Sequence, residues 1–295
     1  MDSTTHSLRR AAAGPAVEPI LIFDILTITA FVILLVSVLV AWFSGVQRVK
    51  TWYLLQLTSA GYCLSFLLLL GQQTGPEPPL QFCAISAALI YAAPPAVASA
   101  ALFFVIELHL RLSSALFSRS MSDTFIYWVA WGIPISHGVV FWVSLLIGLS
   151  DISKIQRDPS GIYCHIVDNK VPTLLTGTLV ILFLGSMLVM EVFTIIHLVR
   201  QRAALARTAR VRGSDFPLPL FIRTVVYTIS GGFGIITADI LLNVSSAVTV
   251  NLLAIIPLSV ALVFGTQKEL LRAVFLCQFG RNKTGSVPLS ATNSV

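Results

Sequence analysis

Three charged residues beside apolar segments are the first candidates for a functional site. Glu107 and Arg111 are four residues apart, the spacing at which opposite charges pair on one face of a helix. Arg223 begins a later apolar segment and offers Glu107 a second partner across the structure. A charge pair at a membrane edge is partly shielded from water, which strengthens it. A state with the pair formed and a state with the pair broken would then be two distinct conformations. We interpret these residues as a candidate switch, with ordinary interfacial anchoring as the simpler alternative.

A second group of polar residues lies in apolar surroundings and could contact a ligand. An acid inside an apolar bundle is costly to leave without a partner. Asp239 is therefore either satisfied by a neighbouring group or placed to meet a cationic or polar ligand. The candidate ligand-binding residues are Tyr91, Asp239, Asn243 and Asn251.

The elements that must position these residues are apolar helices. Of 295 residues, 56% are hydrophobic and only 11% are charged, too few to cover the surface of a soluble globule. The apolar runs are each long enough to cross a bilayer as a helix and lack the alternation of a membrane barrel. We expect an all-α membrane protein with a seven-transmembrane helix bundle. The predicted segments are roughly 20–43, 52–71, 82–106, 125–149, 171–199, 218–243 and 249–266.

The basic residues predict how this bundle is oriented. Of the 19 lysines and arginines, 14 fall on one side of the seven segments and five on the other. Because basic loops stay in the cytosol, the N-terminus is expected outside and the C-terminus inside, most simply in the plasma membrane. We predict a disordered extracellular tail over 1–19, a transmembrane domain over 20–266 and a disordered cytosolic tail over 280–295.

The cysteines divide by compartment in this topology. Cys83 opens the third segment on the outer side, and Cys164 lies in the outer loop after the fourth, so the two could form a disulfide. Cys63 lies within the second segment and is expected to pack. Cys277 lies in a predicted juxtamembrane amphipathic helix over 267–279, where it is a candidate for lipidation.

Two further features concern the backbone and the membrane. Pro94 and Pro95 should kink the third segment, with neighbouring groups satisfying the freed carbonyls. The arginine-rich loop 200–217 is expected to contact anionic membrane lipids, and it could also dock a cytosolic partner.

Taken together, these features resemble a G protein-coupled receptor. The resemblance covers roughly residues 20–279 and looks closest to divergent seven-helix receptor-like proteins of fungi, to whose last helix FGTQKELLR at 264–272 is similar. It implies a heterotrimeric G protein as partner, an extracellular small-molecule or peptide ligand, and signal transduction through movement of spans five and six.

The sequence also departs from the rhodopsin-like pattern. Where those receptors carry Asp/Glu-Arg-Tyr, this chain has Glu107-Leu108-His109, and where they carry Asn-Pro-x-x-Tyr it has Pro257-Leu258-Ser259. The activation residues of that family are therefore not transferred to this chain.

Other function classes fit less well. A transporter would show matching helix breaks in its two halves, which are absent here. A membrane transporter and an uncoupled seven-helix scaffold remain the alternatives. The sequence has no nucleophile beside a base and no metal-ligand spacing, so we expect no enzyme, no metal and no cofactor. The basic residues belong to membrane-edge loops, so nucleic-acid binding is not expected.

Overall fold

A computed structural model describes residues 17–45, 48–117, 131–200, 222, 224–229, 246–267 and 270. This part of the chain is mostly helical, and residues 224–229 form a further helical stretch. The longer elements are α1 (Val17–Phe43), α2 (Lys50–Leu67), α3 (Leu80–Phe117), α4 (Gly132–Ser150), β1 (Ile155–Arg157), β2 (Cys164–Ile166), α5 (Val171–Arg200) and α6 (Ser246–Gly265).

Four of the described helices are long and apolar enough to cross a membrane, which indicates a membrane protein. They are α1, α4, α5 and the part of α3 from Leu80 to Ser114. The second predicted segment forms α2, an 18-residue helix that is less apolar because it contains Lys50 and Gln56. The seventh forms α6, with a shorter apolar stretch over Asn251–Gly265. Of the sixth predicted segment, only residues 222 and 224–229 are described.

Several predicted boundaries need correction. The helix α1 begins at Val17, so residues 17–19 are helical and do not belong to a disordered tail. The helix α2 ends at Leu67, four residues before the predicted end of its segment. The helix α3 continues beyond its predicted apolar segment to Phe117, and Glu107, Leu108 and Leu112 in this continuation are buried.

The central element is α3, which packs against α2, α4, α5 and both strands. Within its most apolar window, 72% of the residues are buried, compared with 17% for α5. Its buried face is rich in alanine, and small residues allow neighbouring helices to approach closely. The helix α1 packs on the other side of the bundle, against α2 and α6.

The proline pair in α3 leaves main-chain carbonyls without their usual partners. A proline has no N–H, so Pro94 and Pro95 cannot donate to the carbonyls of Ile90 and Tyr91. The hydroxyl of Thr176 on α5 donates to the Tyr91 carbonyl at 2.8 Å. A neighbouring helix therefore satisfies one freed carbonyl, as expected for a proline-containing helix within a bundle.

Two short antiparallel strands form in the loop between α4 and α5, a feature that the predicted all-α class did not include. Ile155 pairs with Ile166, and Arg157 pairs with Cys164. Ile155, Cys164 and Ile166 are buried while the residues between them are more exposed, the alternation of a half-buried hairpin. The two strands in this loop were not predicted from the sequence.

Candidate functional site

The end of α3 that carries Cys83 is covalently joined to the hairpin. Cys83 and Cys164 form the predicted disulfide, with their Cα atoms 5.5 Å apart. Both cysteines are buried beside Leu69 and Ile155. The hairpin is therefore fixed over this end of the bundle, which we call the outer end.

Hydrogen bonds hold the same hairpin at its two edges. The main-chain N–H of Ile166 donates to the Tyr91 hydroxyl at 3.3 Å. Arg157 reaches the loop between α2 and α3, where its guanidinium donates to the carbonyls of Gln72, Gly75 and Pro76 at 2.9 to 3.2 Å. Tyr91, predicted to bind a ligand, is thus placed where it supports the hairpin.

The turn of the hairpin lies against the α2–α3 loop. Gly161 adopts a φ of +79°, and a Cβ added there would lie 2.5 Å from the main-chain oxygen of Gln73. Only glycine fits both the backbone conformation and the close approach. The side chain of Gln73 in turn donates to the buried carboxylate of Asp24 on α1 at 2.7 Å. The turn, the loop and α1 are therefore interlocked.

Tyr163 fills the space under the hairpin. Its ring packs edge-on against Phe66 of α2, with centroids 6.3 Å apart. Burial raises the pKa of its phenol, and the nearby carboxylate of Asp158 raises it further. The phenol of Tyr163 therefore stays protonated at neutral pH.

A cleft beside the proline pair is a candidate ligand cavity. It has a volume of about 530 Å³ and lies between α2, α3 and α4. Small-molecule sites typically fall in this size range and are lined mostly by apolar groups. Leu64, Leu89 and Ile133 are among its apolar walls, and His137 is one of its polar groups. The His137 Nδ1 lies 3.3 Å from the carbonyl oxygen of Ala92.

At the opposite end of α3, which we call the inner end, Glu107 joins two helices. Its Oε1 accepts hydrogen bonds from Arg111 Nε at 2.8 Å and Nη2 at 2.6 Å. Its Oε2 accepts from the Thr51 hydroxyl at 2.6 Å and from the Thr51 main-chain N–H at 3.3 Å. Glu107 is only 2% exposed.

The position of Thr51 explains part of this arrangement. Thr51 is in the first turn of α2, whose N-cap residue Val49 provides no side-chain cap. A carboxylate at a helix N-terminus accepts otherwise unpaired N–H groups and meets the positive end of the helix dipole. Glu107 therefore serves as a cap for α2 supplied by α3, in addition to pairing with Arg111.

Besides the Thr176 hydrogen bond, two polar contacts connect α5 to its neighbours. His109 Nδ1 on α3 lies 2.8 Å from the hydroxyl of Thr194, which itself donates to the carbonyl of Met190. The imidazole therefore donates and the hydroxyl accepts. Farther along, the buried carboxyl of Glu191 is hydrogen-bonded to the hydroxyl of Thr228 at 2.6 Å. These contacts link α5 to α3 and to the stretch 224–229.

Several predicted residues lie outside the part of the chain that the structure describes. They are Arg223, Asp239, Asn243 and Cys277, together with most of the predicted 267–279 helix and of the tails. Asn251 lies on α6, and its Oδ1 is buried without a hydrogen-bond partner among the described residues. No hydrogen bond joins Asn251 to Tyr91 within the same set.

Asp24, Gln73 and Thr51 are among the residues of these networks that were not predicted from the sequence. Asp24 could have been found, since an acid within an apolar segment marks a polar contact or a site. Gln73 and Thr51 carried no such signal, because both are ordinary polar residues near segment ends. Their roles depend on which helices meet.

A scan against protein-family models gives no match, and a search of curated proteins finds no significant match.

Proposed function

We propose that this protein is a seven-helix receptor that transmits an extracellular signal to a heterotrimeric G protein. The observation that carries the proposal is the construction of α3, which holds the tethered hairpin at its outer end and the Glu107 contacts at its inner end. A helix that contacts both ends can bias one from the other when a ligand binds two arrangements with different affinity.

The proposed topology follows the predicted seven spans. The hairpin end is extracellular and the Glu107 end cytosolic, as the distribution of basic residues predicts. The proposed ligand is a small, largely apolar molecule in the cleft beside Pro94 and Pro95, whose size and lining favour such a ligand. Because the disulfide fixes the hairpin over the outer end, the ligand would enter the cleft from the side of the bundle or along the edge of the hairpin.

Movement of spans five and six is the proposed output. The contacts His109 to Thr194 and Glu191 to Thr228 connect α5 to α3 and to part of the sixth segment. Rearrangement of α3 would change the His109 contact directly and, by moving α5, the Glu191 contact, and the inner end would open toward the G protein. In the resting state, Glu107 holds α2 and Arg111 together and opposes this opening.

The test is nucleotide exchange on purified heterotrimeric G proteins with the detergent-purified chain. Glu107→Gln keeps an oxygen that can accept from Thr51 but removes the charge that pairs with Arg111. Weakening a charge-assisted hydrogen bond by about 1.4 kcal/mol would shift a two-state equilibrium about tenfold. We expect basal exchange to rise by up to about that factor.

Glu18→Gln is the matched control, because Glu18 is an exposed acid in the first turn of α1 at the outer end. It should leave exchange at the wild-type rate. Exchange at background for the wild type and Glu107→Gln with every G-protein subtype would contradict basal coupling and favour an uncoupled scaffold. Exchange by the wild type that Glu107→Gln does not alter would keep coupling and reject the switch.

A further inference from the structure

The cleft between α2, α3 and α4 is lined by polar side chains whose hydrogens are already in use. Among the described residues that line it, the polar ones are Thr58, Tyr62, Ser65 and His137. The hydroxyls of Thr58 and Ser65 donate to main-chain carbonyls of α2 itself at 2.7 to 3.1 Å. The hydroxyl of Tyr62 donates to the carbonyl of Leu253 on α6 at 3.2 Å. Because a hydroxyl has only one hydrogen, these three side chains have only lone pairs left for a ligand.

The imidazole of His137 also has an acceptor left over. Its Nδ1 lies 3.3 Å from the carbonyl oxygen of Ala92, and because a carbonyl can only accept, Nδ1 carries the hydrogen. In a neutral imidazole, the other nitrogen, Nε2, then has a lone pair. None of the residues that the structure describes donates a hydrogen bond to this Nε2. The ring stacks on Phe141, one turn further along α4, with centroids 6.4 Å apart, which helps to fix its orientation.

The polar side chains that line the cleft, as far as the structure describes them, therefore offer acceptors and no donor. A ligand group that can only accept, such as a ketone or an ether, would bury its oxygen there without a side-chain partner, which is costly. A hydroxyl would instead donate its hydrogen to one of the acceptors. An ammonium could donate as well, but none of the described lining residues is acidic, so its charge would be buried without a counter-charge. The cleft therefore favours a neutral donor.

The other walls of the cleft determine what the rest of the ligand must be. They are apolar, and Leu64, Leu68, Leu89 and Ile133 are among them. The volume of about 530 Å³ has room for a small ring system or a folded chain. Leu64 is 51% exposed, so this wall reaches the outside of the bundle, where acyl chains lie in a membrane. A ligand that is dissolved in the bilayer can therefore enter from the side, and its body must be apolar.

We propose that the cleft binds a neutral lipophilic alcohol from the bilayer, whose hydroxyl donates to Nε2 of His137. An imidazole nitrogen is more basic than a hydroxyl oxygen and is therefore the stronger acceptor, so His137 is the partner in preference to Thr58 or Ser65. The apolar body of the alcohol lies against Leu64 and Leu89. This inference rests on the proposed function in taking the cleft as the ligand site, and it adds the chemical class of the ligand.

The test compares menthol with menthone, which have the same carbon skeleton and differ in that only the alcohol can donate. Menthane, without any polar group, is the reference. The rise in the melting temperature of the detergent-purified full-length chain with increasing ligand gives each affinity. The measurement is made at about pH 8, where histidine side chains are ordinarily neutral. We expect menthol to bind about tenfold more tightly than menthone, the effect of one hydrogen bond.

His137→Phe keeps an aromatic ring beside Phe141 but removes Nε2. It should lower the affinity for menthol about tenfold and leave that for menthone unchanged, so that the two bind equally. Both ligands use the same apolar walls, so a change in the shape of the cleft would affect both, and the difference between them isolates the hydrogen bond. Ser65→Ala is the matched control, because it removes a polar group from the same cleft but should keep the preference for menthol.

Several outcomes would overturn the proposal, and the first two need only the wild type. Menthone binding at least as tightly as menthol would show that the cleft does not require a donor. Absence of menthol binding, or equal binding of menthane, would show that the cleft does not recognise a hydroxyl. A preference for menthol that survives His137→Phe, or that is lost in Ser65→Ala, would show that His137 is not the acceptor. No G protein is present in these measurements, so selective menthol binding would support this inference even if the proposed coupling fails.

Discussion

The two ends of α3 are held by different kinds of bond. At the outer end, a disulfide joins Cys83 to Cys164, and a hairpin closes over the bundle. At the inner end, Glu107 is held by hydrogen bonds and an ion pair to Thr51 and Arg111. A covalent tether does not exchange on the timescale of conformational change, whereas hydrogen bonds and ion pairs do. The comparison indicates a fixed outer end and an inner end that can rearrange.

Breaking the tether should have the largest effect on stability. The disulfide spans a separation of 81 residues, and loss of such a link costs about 4 kcal/mol on the loop-entropy account. We expect Cys83→Ser and Cys164→Ser each to lower the thermal unfolding midpoint and the surface expression strongly. The double variant should be no worse than either single one, because one bond is lost in each case.

Additive defects in the double variant would contradict a stabilising disulfide between Cys83 and Cys164. Treatment with a reductant provides a second measurement, since it should lower the midpoint of the wild type toward that of the serine variants and leave those variants unchanged. It should also leave the inner end intact, which the response of basal exchange to Glu107→Gln can report.

The next prediction concerns the close contact between the hairpin turn and the α2–α3 loop. Gly161→Ala should destabilise the protein by about 3 kcal/mol, because the residue has a positive φ and its Cβ would meet the Gln73 carbonyl oxygen. Gly75→Ala is the matched control, since Gly75 has a φ of +86° but no atom within 4 Å of an added Cβ. It should cost about 1 kcal/mol.

Chemical or thermal unfolding in detergent measures both values. If the two glycine variants are equally stable, the hairpin is not pressed against the α2–α3 loop, and the outer end is less rigid than the comparison requires.

The smallest effect concerns the inner end. Thr51→Val keeps the shape of the side chain but removes the hydroxyl that donates to Glu107. Loss of a hydrogen bond to a charged group should cost about 1.5 kcal/mol. Under the proposed function, it should also raise basal nucleotide exchange, because α2 is then less firmly held to α3.

Thr58→Val is the control on the same helix, since the Thr58 hydroxyl bonds only to carbonyls of α2 itself. Because Thr58 also lines the cleft, exchange by the two variants is compared without ligand. It should change neither stability nor exchange appreciably. Equal effects of the two valine substitutions would indicate that contact between α2 and α3 at the inner end does not restrain the protein.

Much of the outer end was predictable from the sequence. The Cys83–Cys164 bridge was predicted from the apolar segments, which put both cysteines at the same end of the predicted bundle. The main-chain carbonyls that Pro94 and Pro95 leave without a hydrogen-bond donor were expected as well, because proline has no N–H group. The hairpin was missed, since its strands have only three residues each and a short apolar alternation is a weak signal.

The contacts at the inner end were only partly predictable from the sequence. The spacing of Glu107 and Arg111 is a local property of one helix, and their pairing was foreseeable. Capping of α2 by Glu107 is not local, because residues 51 and 107 are far apart in the chain and meet only through the packing of α2 on α3.

The sequence by itself determined the membrane class, the positions of the apolar helices and the residues able to carry charge or sulfur among them. These depend on composition and on periodicity along the chain, which a bilayer selects directly. Only the tertiary structure decided that Tyr91 supports the hairpin, that Gly161 meets Gln73 and that Thr58 and His137 line one cleft. Those relations depend on which helix faces lie against each other, and side-chain packing sets them rather than any pattern within a single segment.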